Sequence, residues 1–265
     1  MTNQQILEIA MKQSAVDSNC DWRDFTRQGN KVVVSKKRKN ARKYLELPFL
    51  CDLTSYGTNI VASVSPELGE FVADYISRFP VEHCFETPNL HVLMNRIRPL
   101  GCDVCFMAEY SLPDVDLLSG LHLTEKLQKN YPYQIRILGP DTFSELYTEQ
   151  WGNALCEKRK ELDVLAVGAF DGEKLIGLAG ASADCQTMWQ IGVEVLPEYR
   201  RRGIASALTN QLALEILERD IVPFYCCAWS NLSSIRNAVA SGFRPAWVQL
   251  TVKKLETIEE LNMLI

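Results

Sequence analysis

Residues 193–208 constrain the fold more than any other part of the chain. Apolar residues alternate towards Val195 and predict a strand, which Pro197 ends. Three consecutive arginines then lead to Gly203. Apolar residues follow at helical spacing, at Ile204, Leu208, Leu212 and Ile216. The segment therefore predicts a strand, a basic turn and an amphipathic helix in direct succession.

A turn of this kind predicts a binding site for an anion. The first N–H groups of a helix have no partner within it, and the positive end of the helix dipole lies there. Gly203 lets a ligand approach the backbone closely, and Ala205 keeps the next contact small. The arginines add charge that does not titrate. We expect a phosphate or pyrophosphate; the alternative is a solvated arginine-rich turn before an ordinary helix.

The motif around this turn distinguishes between classes of phosphate site. Neither the dinucleotide fingerprint nor the nucleotide P-loop occurs in the sequence. Arg200-x-x-Gly203-x-Ala205 instead resembles the Gln/Arg-x-x-Gly-x-Gly/Ala signature of the GNAT superfamily of N-acetyltransferases. A predicted hairpin over residues 163–181 and a helix running from Asn231 to Gly242-Phe243 resemble neighbouring elements of the same family. The resemblance covers about residues 133–253.

This resemblance implies an α/β (α+β) architecture, the GNAT fold, in which helices flank a mixed and mostly antiparallel twisted sheet. We assign residues 131–265 to a GNAT acetyltransferase domain whose first helix begins at Pro140. Residues 1–125 form a smaller N-terminal α/β domain of unknown role, for which a degenerate copy of the GNAT fold is one option. Residues 111–133 are rich in turn-forming residues and are predicted to link the two parts.

The resemblance also implies acetyl-CoA as the acyl donor. The diphosphate would lie on the turn and the pantetheine arm along the preceding strand edge, and the next helix would contact the distal arm. The residues that correspond to these contacts are Val193, Glu194, Val195, Arg200, Arg201, Arg202, Gly203, Ile204, Ala205, Ser206, Asn231 and Ser234. The implied activity is acetyl transfer to a primary amine of a small molecule or peptide. The layout resembles bacterial two-domain members, including the zwittermicin-resistance type.

The familiar catalytic side chains of the family are missing. Ala238 stands where many members carry a tyrosine acid, and Cys226 stands where some carry a glutamate base. Cys226 and Glu194 are weak catalytic candidates, because a small buried core residue and a carboxylate paired with an arginine are the favoured interpretations of these two positions. Further candidates are Tyr225, Trp229 and Asp184. Catalysis by proximity alone and a non-catalytic acyl-CoA-binding regulatory protein both stay open.

Composition and sequence patterns argue against several other classes of protein. A net charge of −5 argues against nucleic acid as a partner. The sequence shows no signal-peptide pattern and no apolar run of membrane-spanning length, so we expect a cytoplasmic protein without a membrane partner. Nine cysteines without framework spacing predict reduced thiols, so no metal is expected, although Cys102-x-x-Cys105 leaves zinc or redox chemistry as an alternative. A homodimer is one assembly that the chain could form.

A basic stretch at residues 36–43 stands apart from the acidic overall composition. It contains Lys36-Lys-Arg-Lys39, Arg42 and Lys43. We interpret it as a solvated loop or hairpin edge, with a patch for an acidic partner as the alternative.

Overall fold

A computed structural model describes residues 1–263. The α-helices are α1 Asn3–Ser18, α2 Gly69–Arg78, α3 Leu90–Ile97, α4 Val115–Gly120, α5 Leu123–Asn130, α6 Ile204–Leu217, α7 Leu232–Ala240 and α8 Leu255–Met263. The strands are β1 Lys31–Val34, β2 Cys51–Ser55, β3 Val61–Val64, β4 Cys102–Pro113, β5 Gln134–Leu138, β6 Asp163–Asp171, β7 Lys174–Ser182, β8 Met188–Val195, β9 Val222–Ala228 and β10 Phe243–Lys254. None of the helices in this part of the chain is long and apolar enough to cross a membrane.

The chain divides into two compact units. Unit 1 comprises Met1–Ile9 and Ser111–Pro245, and unit 2 comprises Ala10–Tyr110 and the chain from Ala246 onwards. The division points fall within α1, β4 and β10. Residues 1–9 therefore belong to the same unit as residues 111–245, and residues 246–263 belong to the same unit as residues 10–110. The assignment of residues 1–125 and 131–265 to separate domains stays a prediction.

Unit 1 contains a mixed, mostly antiparallel sheet with the order β5-β6-β7-β8-β9. The pairs from β5 to β8 are antiparallel, and β8 and β9 are parallel. Helix α6 packs on this sheet through four residues that are almost fully buried: Ile204, Leu208, Leu212 and Ile216. The predicted α/β sheet flanked by helices is thus confirmed, and α6 carries the apolar face that its periodicity indicated.

Unit 2 contains the strand order β1-β3-β2-β10. β1 and β3 are parallel, whereas β2 is antiparallel to β3 and to β10. Residues of α2 and α3 fill its core, among them Val72, Ile76, Leu93 and Ile97. Helices α2 and α3 follow Ser65-Pro66 and Thr87-Pro88, where a proline favours the start of a helix, whereas no such pattern indicates β2 or α8.

Two predictions for unit 1 were wrong. The segment 111–133 is not a linker, because it forms α4 and α5, and the Asp114 side chain caps α4 by accepting from the N–H groups of Asp116 and Leu117. Pro140 begins only a short 3-10 turn, Pro140–Thr142, rather than the first helix of the domain. The chain from there to β6 packs through separate side chains such as Trp151 and Leu155, which a regular helix does not require.

The basic stretch at residues 36–43 does not form one surface patch. Lys36–Lys39 and Lys43 are exposed, but the Arg42 side chain is 1% exposed and lies against Asp17, with 3.4 Å between Nε and a carboxylate oxygen. Its guanidinium also lies over the ring of Trp247 at 5.4 Å. Trp247 is itself buried and stacks on Tyr110 and Tyr56. The interpretation of Arg42 as part of a solvated loop was therefore wrong.

A second buried carboxylate in unit 2 makes stability depend on pH. Asp52 on β2 is fully buried and accepts hydrogen bonds from Gln249, Thr251 and Thr54. Burial raises the pKa of Asp52 from 3.8 to about 6, against the lowering effect of these hydrogen bonds. A carboxyl with a raised pKa in the folded state holds a proton that the unfolded state releases, so stability falls as the pH rises between these values.

We expect Asp52→Asn to remove this dependence, because an amide resembles the protonated carboxyl. The unfolding free energy of the variant minus that of the wild type should grow by about 2–2.5 kcal/mol between pH 4 and pH 7. Urea unfolding at several pH values measures this difference, and it cancels the effects of other carboxyls. A difference that stays constant with pH would show that Asp52 is ionised throughout.

Candidate active site

The central feature of unit 1 is a divergence between two parallel strands. The register of β8 with β9 runs from Met188↔Val222 to Ile191↔Tyr225 and ends there. β8 continues to Val195, still paired on its other side with β7 as far as Gly177↔Val195. The main chain of residues 193–195 therefore lies at an open strand edge, which an extended ligand can pair with as an added strand does.

A cavity of about 560 Å³ lies at this divergence. Its walls come from β8, β9, the beginning of α6 and α7. The lining includes Val193, Val195, Ala205, Tyr225, Asn231 and Ser234. The structure thus brings together the strand edge, part of the turn and the helix that the sequence singled out separately.

The turn between β8 and α6 has the geometry of an anion site. Arg201 and Gly203 both adopt left-handed backbone conformations, with φ of +65° and +81°. The first bond inside the helix runs from the Ala207 N–H to the Gly203 carbonyl, at 3.0 Å. The N–H groups of residues 204–206 therefore precede the helical hydrogen-bond ladder. A Cβ at Gly203 would meet nothing within 4 Å, so the space over the turn is open.

The three arginines of the turn differ in what they contact. The Nε atom of Arg200 donates to the Val195 carbonyl at 3.0 Å and thereby ties the turn to the end of β8. Arg202 donates to the Tyr133 hydroxyl and to the Glu198 carbonyl, and it lies 5.1 Å from the ring of Tyr199. The side chains of Arg200 and Arg202 thus brace the turn. An anion on this turn would depend mainly on main-chain N–H groups, with Arg201 exposed beside it.

Glu194 has the structural partner that its sequence context suggested. Its carboxylate accepts from Arg200 at 3.0 Å and from the side-chain amide of Asn153. Arg200 thus donates to the Glu194 carboxylate through one guanidinium nitrogen and to the Val195 carbonyl through another. These contacts favour a structural role for Glu194 over that of a general base.

An irregular segment crosses the sheet at two glycines, and the sequence analysis missed it. Gly180 and Gly192 pair directly across β7 and β8. A Cβ at Gly192 would lie 1.9 Å from the Asn153 carbonyl oxygen, and one at Gly180 would lie 2.1 Å from that of Ala154. Only glycine permits this approach. Glycine inside a predicted strand is the signal that could have revealed a close backbone crossing.

We expect Gly192→Ala to destabilise unit 1 by about 1–3 kcal/mol or more, because the new methyl overlaps main-chain atoms that cannot rotate away. Thermal unfolding measures the loss. Gly69→Ala at the start of α2 is the matched control: its Cβ would meet nothing within 4 Å, and alanine favours a helix. An equal loss of stability in the two variants would contradict the close approach of the Asn153 main chain to Gly192.

The remaining sequence candidates separate into those at the cavity and those elsewhere. Asn231 caps α7, since its side-chain oxygen accepts from the Ser234 N–H at 3.1 Å. Tyr225 and Cys226 line the cavity from β9. Trp229 is exposed, and Asp184 is fully buried against Arg159 at 3.1 Å. Within residues 1–263, no cluster of three or more His, Cys, Asp or Glu side chains could hold a metal.

Comparison with known proteins agrees with this geometry. A model of the GNAT acetyltransferase family matches residues 107–246, more than half of the 265 residues. The chain therefore belongs to the GNAT acetyltransferase family. The match begins before β5, so the segment that forms α4 and α5 is part of the family domain. No curated protein matches the sequence significantly.

Solved structures of family members are similar at low sequence identity. A GCN5-related N-acetyltransferase-like protein of Streptococcus suis is 20% identical, with a TM-score of 0.45 over 63% of this chain and 68% of its own. A GCN5-related N-acetyltransferase of Kribbella flavida is 15% identical, with a TM-score of 0.42 over 61% and 62%. An acetyltransferase of the GNAT family from Colwellia psychrerythraea is 15% identical, with a TM-score of 0.41 over 57% of both chains.

Proposed function

We propose that this GNAT acetyltransferase transfers the acetyl group of acetyl-CoA to a primary amine of a small molecule or peptide. The divergence of β8 and β9 beside the turn of α6 carries the proposal. The diphosphate lies over the N–H groups of residues 201–206, and the pantetheine arm runs along residues 193–195. Asn231 and Ser234 contact the distal arm from the start of α7.

The chemistry follows from this placement of the donor. A main-chain N–H near Ile191 or Val193 donates to the thioester carbonyl, where negative charge develops in the transition state. The amine attacks in its neutral form, and the carbon–sulfur bond then breaks. Holding both reactants in one cleft supplies several kcal/mol of the barrier reduction.

Release of CoA from acetyl-CoA in the presence of primary amines tests the proposal. We expect at least one amine in a panel of polyamines, amino sugars and peptide N-termini to increase the release clearly above hydrolysis. The matched alcohols of the same carbon skeletons serve as controls, because they lack the nucleophilic nitrogen. Equal release with amines and alcohols would contradict N-acetyl transfer.

A non-catalytic acyl-CoA-binding protein is the second candidate. The observation that favours it concerns Ala238, which is buried in α7. By the family resemblance, this is the position of the tyrosine that acts as general acid in many members, and alanine has no proton to donate. Binding of acetyl-CoA in calorimetry without turnover of any amine would support this candidate. A zwittermicin-resistance-type substrate, a cytoplasmic location and a homodimer stay predictions.

A further inference from the structure

Two adjacent cysteines lie where β9 leaves its pairing with β8. The register ends at Ile191↔Tyr225, so Cys226 and Cys227 continue β9 past the divergence. Both residues are half-buried, and both line the cavity of about 560 Å³. Extending the register by two positions places Cys227 across the gap from Val193. The pair therefore flanks the gap that an acyl-CoA arm paired with β8 would fill.

The two cysteines point to opposite faces of the sheet. Residues opposite each other in a parallel pair share a face, so Tyr225 lies on the face of Ile191, and alternation places Cys227 there as well. This is the face that α6 covers, because Ile191 and Tyr225 belong to one buried core with Leu208 of that helix. Cys227 packs against the same core, whereas Cys226 projects the other way.

In the proposed complex the CoA arm reaches the cavity from the side of α6. The diphosphate lies on the turn before α6, and Asn231 and Ser234 at the start of α7 also line the cavity. The arm then runs along residues 193–195, and its sulfur comes to the point where the strands part. Among the nine cysteines, all within residues 1–263, the two that line this cavity are Cys226 and Cys227. Of these, Cys227 projects to the side on which the arm enters.

We propose that Cys227 is a thiol-exchange site, at which the disulfide of CoA forms a mixed disulfide with the enzyme and blocks the acetyl-CoA site. This inference rests on the proposed acetyl-CoA-dependent function, because the site that binds acetyl-CoA is what holds the CoA disulfide next to the thiol. A cysteine outside such a site has no reason to prefer the disulfide of CoA over another small disulfide.

The exchange conserves atoms and electrons. The Cys227 thiolate attacks one sulfur of the CoA disulfide, a new sulfur–sulfur bond forms to that half, and the original sulfur–sulfur bond breaks. The other half leaves as a thiolate and takes up a proton from solvent, which replaces the proton that Cys227 gave up. The enzyme thiol is thereby oxidised and one CoA is reduced, with no further oxidant.

The position of Cys226 makes the modification persistent. A second thiol could release the bound CoA by closing a disulfide with Cys227. Adjacent residues of an extended strand direct their Cβ atoms to opposite faces, and a disulfide cannot join side chains that point apart. The mixed disulfide therefore stays until an external thiol reduces it, so the enzyme responds to the ratio of oxidised to reduced CoA.

Intact-protein mass spectrometry after incubation with CoA disulfide tests the proposal. We expect the wild type to gain the mass of one CoA moiety at least about tenfold faster than it gains glutathione from glutathione disulfide at equal concentration, because the site holds the first reagent beside the thiol. Excess acetyl-CoA should slow the gain of CoA. Dithiothreitol should restore both the original mass and the binding of acetyl-CoA.

Cys227→Ser should lose the fast reaction with CoA disulfide. Cys226→Ser is the matched control, since it changes the same chemistry on the opposite face of the same strand. Cys156→Ser is a second control, because Cys156 is a half-buried cysteine of unit 1 outside the cavity. We expect both controls to react at the wild-type rate, and calorimetry with acetyl-CoA shows that each variant keeps its fold.

The outcomes separate this inference from the proposed function. A wild type that binds acetyl-CoA but gains CoA no faster than glutathione, or a fast reaction that Cys227→Ser retains, overturns the inference alone. Peptide mapping of the modified wild type decides the same point without a variant, because CoA on any other cysteine contradicts the assignment to Cys227. A wild type that does not bind acetyl-CoA overturns the proposed function and this inference together.

Discussion

Gly203→Glu is expected to weaken acetyl-CoA binding at least about a hundredfold. Gly203 adopts φ of +81° directly before the first turn of α6, and a side chain there would extend into open space over the turn. That space is where we place the diphosphate. A carboxylate would therefore occupy the position of the phosphates and repel them, and like charges in contact cost several kcal/mol. Calorimetric titration with acetyl-CoA measures the effect.

Gly172→Glu controls for backbone strain and for the added charge. Gly172 lies in the hairpin turn between β6 and β7 of the same unit, with φ of +61°, and a Cβ there would also meet nothing within 4 Å. We expect this variant to bind acetyl-CoA within about threefold of the wild type, because only the anion turn is sensitive to charge. Equal losses in the two variants would attribute the effect of Gly203→Glu to strain.

Arg42→Met is expected to lower the free energy of unfolding by about 3–5 kcal/mol at neutral pH. The Arg42 and Asp17 side chains are both almost fully buried, and the guanidinium also lies over Trp247. Removing one partner of a buried ion pair leaves the other charge in a poorly solvating interior. Urea unfolding followed by tryptophan fluorescence measures the loss, and Lys37→Met at an exposed neighbouring position should change it by less than about 0.5 kcal/mol.

The pH dependence of this effect has a defined sign. Burial already raises the pKa of Asp17, and Arg42 lowers it. Without Arg42 the folded-state pKa rises further, so the buried carboxylate is unfavourable only at pH values above its unfolded pKa. The destabilisation by Arg42→Met should therefore be largest near pH 7 and shrink towards pH 4. A loss that is independent of pH would contradict a buried ionic interaction.

Local signals in the sequence predicted most of the elements around the site. The strand before Pro197, the helix after Gly203 and the Asn231-capped helix each follow from spacing and capping within about fifteen residues, and all three are present. Their assembly into a cleft depends on where the register of β8 and β9 ends. That point lies in a pairing between segments more than thirty residues apart, which periodicity does not encode.

Long-range contacts explain the predictions that failed. Arg42 reads as part of a basic run because its partner, Asp17, lies 25 positions earlier. The segment after Pro140 contains helix-forming residues, but its backbone crosses two strands where Gly180 and Gly192 meet. Arg200 and Arg202 look like phosphate ligands in the motif, yet their side chains contact Val195, Glu194 and Tyr133. In each case the decisive partner comes from another element.

A crystal structure with CoA bound tests the central claim most directly. We predict that the diphosphate lies on the N–H groups of residues 201–206 and that the pantetheine arm pairs with residues 193–195. CoA bound away from the divergence of β8 and β9, with this strand edge and turn unoccupied, would contradict the assignment of the site.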